Sequence, residues 1–344
     1  MSSVVLVDWL GRGGIAQNAE AWAIELGAAG HDVAVVTRPD RELGSGVVPV
    51  IAAPAARGRL AAHRSVARAA AREIRARRPE VVVIQNYVLP PLEGPVYAAA
   101  RAVGSRTVVV VHDHRLHTWK AGTRAGLARR LADADAVVVH SDYVADGVES
   151  YAPGVTIEQV PLPAPVGMLR HQPEPPALDP GPASWAGHFG VLHRAYKGAN
   201  VVEALAGNGV EGWGFLAVGV GAPTDAPGLR AIPGYASPGA LVGAVSATDV
   251  TLAPYELATQ SAVVELGHLL GSVPVASAVG GIPEQIEHGV DGLLVPAGAP
   301  VDAWRDALTS LDDTDVRKAM AVAGTARAWR EHEEFVRRIT ELVA

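Results

Sequence analysis

Residues Thr251–Glu284, TLAPYELATQSAVVELGHLLGSVPVASAVGGIPE, carry the pattern that decides the fold. An apolar strand leads into a loop with Glu256, a helix with Glu265 follows, and a second short strand, VPVAS, ends at a Gly-Gly-Ile-Pro-Glu turn. Short apolar strands that alternate with helices predict a parallel α/β sheet. Ligands of such sheets bind at the carboxyl ends of the strands. Two glutamates and a helix N-terminus at this edge predict a ligand with hydroxyl groups at one end and phosphate at the other.

Composition bounds the class of protein. A chain of 344 residues is long enough for two domains, and 49% hydrophobic against 19% charged residues predicts a sizeable core. No cysteine is present, so disulfides and thiolate metal sites are excluded. The net charge of -7 argues against a general nucleic-acid binder. No signal-like or membrane-spanning segment is found at the start of the chain, and we expect a cytoplasmic protein.

The same alternation of strands and helices fills the first half of the chain. Ser3–Asp8 is a continuous apolar run, as a buried parallel strand requires, and a glycine-rich loop and a helix over about residues 15–30 follow it. Gly11, Gly13 and Gly14 permit a ligand to approach the backbone of this loop. Their spacing matches neither the dinucleotide fingerprint nor the P-loop, and a purely structural role for them stays open.

A histidine candidate lies at the end of the strand TVVVVHDH. His112 and Asp113 sit where α/β sites form, and they suit proton transfer, metal binding or hydrogen bonding to sugar hydroxyls. His112 is singled out because its place on the strand end directs it into the crevice, whereas His114 and His117 are expected to have no special role. The stretch Asp133–Asp135 resembles a DxD metal motif, but it enters a strand from a helix end and is interpreted as structural.

A proline-rich stretch, Pro161–Pro182, interrupts the periodic pattern and is predicted to link two α/β domains. The domains are placed at residues 1–165 and 166–326. Two helices are predicted over 301–311 and 316–323. The amphipathic segment 327–344 is predicted to be a separate helix that packs back on the first domain.

Two cations follow the first strand of the second domain. Arg194 and Lys197 lie three residues apart where the strand gives way to a helix. Arginine binds phosphate oxygens through its fork and lysine as a point charge. The pair predicts a phosphate site, although two cations on a surface loop are also common without one.

Six stretches occur in one order along nearly the whole chain. They are GRGGIAQNAEAWAIELGAAGHDVAVVT, VVVVHDH, ADAVVVHSDYVADGV, FGVLHRAYKG, IPGYASPGALVGAVSATDVTLAP and VVELGHLLGSVPVASAVGGIPEQIEHGVDGLLVP. Together they resemble the GT-B glycosyltransferases, specifically the retaining enzymes of glycosyltransferase family 4, also called group 1. The resemblance implies an α/β fold of two Rossmann-like parallel-sheet domains that face a cleft, with a C-terminal helix that crosses back to the first domain.

The resemblance also implies roles for single residues. Glu265 would bind the ribose hydroxyls of the donor, Arg194 and Lys197 its diphosphate. His112 would face the donor sugar and the acceptor. Backbone positions are implied near the diphosphate and the sugar at Gly13 and Gly14, and near the nucleobase at Gly219, Gly234 and Tyr235.

One position departs from the family pattern. Leu257 stands eight residues before Glu265, where the family has a glutamate. Glu256 is the natural substitute if the loop carries one extra residue. Thr259, Gln260 and Ser261 are then expected to contact the donor sugar, along with Glu256 and the backbone at Leu257. The departure leaves the identity of the transferred sugar open.

The expected function is therefore sugar transfer from a nucleotide diphosphate sugar to an acceptor hydroxyl, with retention of configuration and without a metal or other cofactor. The expected acceptor is a soluble small molecule, for example an aminocyclitol or another natural-product precursor, in a bacterial pathway. A lipid-linked or polysaccharide acceptor stays open because Arg64, Arg68, Arg72 and Arg75 form a basic stripe on one predicted helix. A sugar-nucleotide epimerase and a non-catalytic nucleotide-sugar-binding paralogue are further alternatives. The oligomeric state is not predicted.

Overall fold

The computed structural model describes the chain except residues 43, 45, 47, 86–88, 115–122, 193–194 and 225. It contains two compact units. The first consists of Met1–Leu162 together with His332–Ala344, and the second of Pro163–Glu331. Each unit is built around one parallel sheet.

The sheet of the first unit has seven strands in the order β3-β2-β1-β4-β5-β6-β7. Its apolar runs are buried on both faces, as parallel sheets covered by helices require. The order reverses between β1 and β4, which makes this pair the topological switch point where ligands of such sheets bind. The strands are β1 Ser3–Asp8, β2 Asp32–Thr37, β3 Val50–Ala52, β4 Val81–Gln85, β5 Arg106–Val111, β6 Ala136–Val139 and β7 Ile157–Gln159.

Helices cover both faces of this sheet. One face packs against α2 and α3, with Val66 and Tyr97 in the shared core, and the other packs against α1 through Trp22. Phe335 and Ile339 from the C-terminal residues complete the second core. The helices are α1 Gly13–Ala28, α2 Arg59–Arg77, α3 Pro90–Val103, α4 Thr123–Ala132 and α5 Asp142–Glu149.

The sheet of the second unit has six parallel strands in the order β10-β9-β8-β11-β12-β13. They are β8 Ser184–Val191, β9 Trp213–Val220, β10 Leu229–Pro233, β11 Val250–Ala253, β12 Val273–Ser277 and β13 Leu293–Val295. The helices are α6 Ala199–Asn208, α7 Pro238–Ser246, α8 Ala262–Leu270, α9 Ile282–Gln285, α10 Val301–Thr309 and α11 Thr314–Val343. Here the order reverses between β8 and β11, and the sequence stretch that carries Glu256 and Glu265 begins at this switch point.

The prediction of two separate helical segments after residue 315 is wrong, because α11 runs without a break over Thr314–Val343. Gly324 lies inside this helix, directly after the predicted end of the segment 316–323. A Cβ at Gly324 would lie 2.6 Å from Cδ2 of His268. The glycine therefore permits close packing of α11 on α8 and does not end the helix.

Across the described part of the chain, no helix combines the length and apolar character needed to cross a membrane.

Candidate functional site

The candidate site of the second unit lies at the carboxyl ends of three neighbouring strands, β8, β11 and β12. The 3-10 turn Ala195–Lys197 follows β8, the loop 254–261 follows β11 and leads into α8, and Gly280 and Gly281 follow β12 and lead into α9. Since the strands are parallel and adjacent, all three connections meet at one edge.

Glu265 is buried in the first turn of α8, with only 1% of its surface exposed. Burial, together with the charge of nearby Glu331, raises the pKa of its carboxyl group from the ordinary value near 4.5 to about 8, against the lowering effect of Gln285 and Arg327. The group therefore holds a proton at neutral pH in the absence of a ligand. A protonated carboxyl both donates and accepts hydrogen bonds, and a ribose hydroxyl offers both partners.

Gln285 is the residue that the sequence analysis missed. Its Nε2 donates to Oε1 of Glu265 at 2.6 Å and to the carbonyl oxygen of Ser261 at 3.2 Å, and its Oε1 accepts from the Ser261 amide at 2.8 Å. Ser261 is also the N-cap of α8, where its hydroxyl accepts from the amide of Val264. The sequence signal for Gln285 is its place directly after the Gly-Gly-Ile-Pro-Glu turn, one residue beyond Thr251–Glu284.

Lys197 lies on a turn that is fastened to the loop after β11. The amide of Glu256 donates to the carbonyl oxygen of Tyr196 at 2.8 Å, and Nζ of Lys197 lies 3.7 Å from the ring centroid of Tyr255. Gly198 has a φ of 68°, and a Cβ there would lie 1.8 Å from the carbonyl oxygen of Pro254. Only glycine fits this approach, and the approach fixes the place of the cation relative to the loop that carries Glu256.

His188 supports the same turn from inside the sheet. Its Nδ1 lies 3.0 Å from the carbonyl oxygen of Leu252, to which it donates. Burial lowers the pKa of His188 to about 4, and the charge of Lys197 lowers it too. The imidazole is therefore neutral at pH 7, which leaves the positive charge of this turn on Lys197.

Of the residues proposed around the sugar, Glu256 and Leu257 are exposed, and Leu257 shows 61% of its surface. Thr259 and Gln260 are half-buried, and the carbonyl oxygen of Thr259 accepts from the amide of Gly281 at 3.0 Å. The loop after β11 and the turn after β12 are thus joined, with Glu256 at the open end of the loop. Arg194, the second predicted cation, lies outside the described residues.

The proposed nucleobase positions meet at the ends of β9 and β10. The carbonyl oxygen of Gly219 accepts from the amide of Gly234 at 3.1 Å. Gly234 and the half-exposed Tyr235 line a cavity of about 350 Å³, whose other walls come from Ile232, Ala240 and the linker residue Glu174. This cavity has the size and mixed polar and apolar lining that a planar base needs.

In the first unit, Asp8 organises the glycine-rich loop. The buried carboxylate accepts from the amides of Leu10 and Gly11 and from the hydroxyl of Thr37 at 2.8–3.0 Å. Gly13 begins α1, has a φ of 70° and borders open space, and its amide donates to Glu42 at 3.0 Å. Gly14 is exposed in the first turn of α1, where helix amides attract anions.

His112 is buried, with 6% of its surface exposed, directly after β5. Its Nε2 lies 3.0 Å from Oε1 of Gln85, and its ring lies 5.2 Å from that of His140. His114 packs instead on α5, where a Cβ at Gly147 would lie 2.2 Å from its ring. His117 lies outside the described residues.

The DxD-like stretch has structural partners. Asp133 pairs with Arg101 and Arg130 at 3.4 Å, and Asp135 accepts from the amide and hydroxyl of Thr107. Asp135 precedes β6 and so lies at the amino end of the strand, away from the carboxyl edge. Among the described side chains, no group of three or more histidine, aspartate and glutamate residues is arranged to hold a metal ion.

A second buried polar group beside the switch point was not predicted. His63 stacks on Trp9 with ring centroids 4.4 Å apart, and its Nε2 lies 3.4 Å from Oε1 of Glu93, whose surface is fully buried. Tyr97 is one turn further along α3, where burial raises the pKa of its hydroxyl and the same Glu93 carboxylate adds to the increase. Glu93 and Tyr97 are neighbours by helical spacing, but nothing in the sequence places Trp9 and His63 beside them.

Residues 13–178 match the glycosyl transferase 4-like domain family. No curated protein is significantly similar to the sequence. Solved structures are similar over nearly all of the chain. One is HepE (Alr3699) from Anabaena in complex with UDP-glucose, which is 14% identical with a TM-score of 0.70. The match covers 100% of this chain and 98% of the HepE chain.

Two further structures show the same fold. Sucrose-phosphate synthase from Thermosynechococcus elongatus is 17% identical with a TM-score of 0.76. The match covers 99% of this chain and 98% of the synthase chain. WaaG, a glycosyltransferase involved in lipopolysaccharide biosynthesis, is 14% identical with a TM-score of 0.67, covering 99% of both chains. The predicted fold class and the resemblance to the family 4, group 1 glycosyltransferases are confirmed.

Proposed function

We propose that this chain, which has the GT-B fold and carries a glycosyl transferase 4-like domain, is an enzyme that transfers a sugar from a nucleotide diphosphate sugar to an acceptor hydroxyl with retention of configuration. One observation carries the proposal. A cation, Lys197, and a buried carboxyl group, Glu265, lie on connections at the same edge of the second sheet. These are the groups that a diphosphate and a ribose require, at the switch point where α/β sheets bind ligands.

The main task of the protein in this reaction is to stabilise the charge that develops on the leaving diphosphate. Lys197 and the helix N-terminal amides supply that stabilisation, with Arg194 as a further cation. The departing phosphate takes the proton of the acceptor hydroxyl on the same face. The reaction then needs no metal, and we expect turnover to persist in the presence of EDTA. The anomeric configuration of the product, read by NMR, tests retention.

We propose a small soluble acceptor, such as an aminocyclitol or another natural-product precursor. The alternative is a lipid-linked acceptor, since Arg64, Arg68, Arg72 and Arg75 are all exposed on α2 and form a basic stripe. Sedimentation with anionic vesicles separates the two, because a membrane-bound enzyme loses vesicle binding when Arg68 and Arg72 are replaced by glutamine.

Donor binding is measured by thermal shift with UDP-, GDP-, dTDP- and ADP-sugars. A ligand at about 100 times its dissociation constant stabilises the folded state by roughly 2.7 kcal/mol. A donor that stabilises the protein but is never consumed, over a broad acceptor panel, would support the non-catalytic alternative. Conversion of the donor without an acceptor would support an epimerase.

Lys197→Met tests the role of the cation. We expect at least about a hundredfold loss of kcat, the usual effect of removing one transition-state contact to a developing negative charge. Lys318→Met, on an exposed position of α11, is the matched control and should keep the activity of the wild type. Equal turnover by the two variants would contradict the assignment of the diphosphate site.

A further inference from the structure

One side chain holds the buried carboxyl group of Glu265. Oε1 of Glu265 accepts from Nε2 of Gln285 at 2.6 Å, whereas Oε2 makes no hydrogen bond to a described residue. Both side chains are buried, with 1% of Glu265 and 6% of Gln285 exposed. A hydrogen bond in such a setting is strong because little water competes for it. One of the two carboxyl oxygens is thus engaged within the protein.

The backbone of Ser261 fixes the orientation of the Gln285 amide. Oε1 of Gln285 accepts from the Ser261 amide at 2.8 Å, and Nε2 donates to the Ser261 carbonyl oxygen at 3.2 Å. A backbone N–H only donates and a carbonyl oxygen only accepts, so the reverse orientation would set donor against donor and acceptor against acceptor. Nε2 therefore faces Glu265, and its second hydrogen reaches the carboxyl group.

The connection that carries Gln285 is joined to the loop after β11 at a second point. The carbonyl oxygen of Thr259 accepts from the amide of Gly281 at 3.0 Å. This bond and the two bonds between Gln285 and Ser261 fasten residues 259–261 to residues 281–285. The bond from Gln285 to Glu265 is therefore not needed to hold the two connections together. Its effect is on the orientation of the carboxyl group.

The orientation of this carboxyl group matters for binding. The terminal torsion of a glutamate side chain is soft, so a carboxyl group without a partner takes up a broad range of orientations. The bond to Gln285 narrows that range and leaves Oε2 for a ligand. A group that is oriented before the ligand arrives loses less conformational freedom on binding, and the affinity is higher for that reason.

We propose that Gln285 is a positioning residue, which orients Glu265 so that Oε2 meets a hydroxyl of the donor ribose and the site distinguishes a ribose from a deoxyribose. The inference rests on the proposed function, which supplies the ribose. A site arranged for one hydroxyl rejects the analogue that lacks it, because the buried carboxyl oxygen is then left without its partner. The donor is accordingly a ribonucleoside diphosphate sugar and not a deoxyribonucleoside one.

The test is equilibrium binding of nucleoside diphosphates to the full-length protein, measured by isothermal titration calorimetry. UDP, GDP and ADP are each compared with their 2′-deoxy and 3′-deoxy forms, which keep the base and the diphosphate. For the base that binds, the wild type should bind the ribonucleotide about tenfold or more tightly than at least one deoxy form. Gln285→Met keeps the length of the side chain but cannot donate, and it should lower this ratio to about threefold or less. Gln285→Asn, whose amide is too short to reach both partners, is the second variant and should show the same fall.

Two further variants separate positioning from a general loosening of α8. Ser261→Ala removes the hydroxyl that accepts from the Val264 amide but keeps the backbone groups that hold Gln285. It should change the affinities for the ribonucleotide and its deoxy forms by the same factor and so keep their ratio. In a Glu265→Met background, Gln285→Met should cause no further fall in the ratio, because Gln285 acts through the carboxyl group. Circular dichroism shows whether each variant is folded.

A wild-type ratio in the Gln285 variants, or an equal fall in Ser261→Ala, would overturn the positioning role and leave the proposed function in place. Equal wild-type affinity for the ribonucleotide and both deoxy forms, or tighter binding of dTDP than of UDP, GDP and ADP, would overturn it as well. If no nucleoside diphosphate binds, the proposed function fails together with the inference. The two failures are therefore distinguishable.

Discussion

At the scale of single residues, Glu265 shows how burial changes a functional group. In the folded state its pKa is about 8, against about 4.5 in an exposed carboxyl group. The folded protein therefore keeps a proton that the unfolded chain loses. The stabilising effect of this proton is complete below about pH 4.5 and disappears as the pH rises to about 8.

We therefore expect the free energy of unfolding to fall by roughly 1.4 kcal/mol per pH unit on account of Glu265 between about pH 5 and 8. Glu265→Gln cannot ionise and should flatten this decline. Urea denaturation of both proteins at several pH values measures the difference. Parallel pH dependences in the two proteins would show that Glu265 ionises normally.

Gly198 is a second residue whose identity the packing requires. Gly198→Ala should destabilise the protein by at least about 1–3 kcal/mol from its φ of 68° alone. It should also lower kcat, because the new Cβ displaces the Lys197 turn from Pro254. Gly209→Ala is the matched control, since Gly209 has a φ of 71° but open space at its Cβ. An equal loss of activity in both variants would contradict a role of the contact between Gly198 and Pro254 in placing Lys197.

At the scale of elements, α11 shows that helix propensity and tertiary packing can favour different residues at one position. Alanine is a better helix former than glycine by about 1 kcal/mol, so Gly324→Ala in an exposed helix would be stabilising. Here the new Cβ would meet His268, whose Nε2 also lies 3.1 Å from the carbonyl oxygen of Asp291. The substitution must therefore displace the buried His268 side chain or shift α11 relative to α8, on which Glu265 lies.

We expect Gly324→Ala to lower the melting temperature. Gly126→Ala in α4 should raise it, because no atom lies within 4 Å of the added Cβ at that position. Thermal melting followed by circular dichroism compares the two. A stabilised Gly324→Ala variant would mean that α8 and α11 separate at no cost.

At the scale of the whole molecule, the chain returns to its first unit in its last thirteen residues, His332–Ala344. Phe335 and Ile339 are fully buried, and the ring of Phe335 meets that of Trp22 edge-on at 5.8 Å. Arg106 donates to the carbonyl oxygen of Leu342 at 2.7 Å. The first unit thus has a complete core only with residues from both ends of the chain.

Removal of residues 332–344 should therefore unfold the first unit. Phe335→Ala alone should cost about 3–5 kcal/mol, a large part of the stability of an ordinary domain. The exposed Glu333→Ala is the control on the same helix. Urea denaturation measures the three variants, and a truncated chain with unchanged stability would contradict the packing.

Much of the fold follows from the sequence because its signals are local. The apolar runs Ser3–Asp8 and VPVAS become β1 and β12 with the predicted bounds. The order of motifs was enough to predict two parallel sheets and the carboxyl edges where Lys197 and Glu265 lie. The break predicted after residue 323 is absent, since Gly324 lies in α11 where it lets His268 approach, and a sequence does not distinguish such a glycine from one that ends a helix.

By itself the sequence determined which residue types stand at the ends of the strands, since strand period and motif spacing act over a few residues. Only the tertiary structure decided how those residues are charged and oriented. The bonds of Gln285 to Glu265 and of Gln85 to His112 join positions 20 and 27 residues apart, and Asn18 meets His140 across 122 residues. Protonation depends on burial and on such partners, and both exist only when the chain has folded.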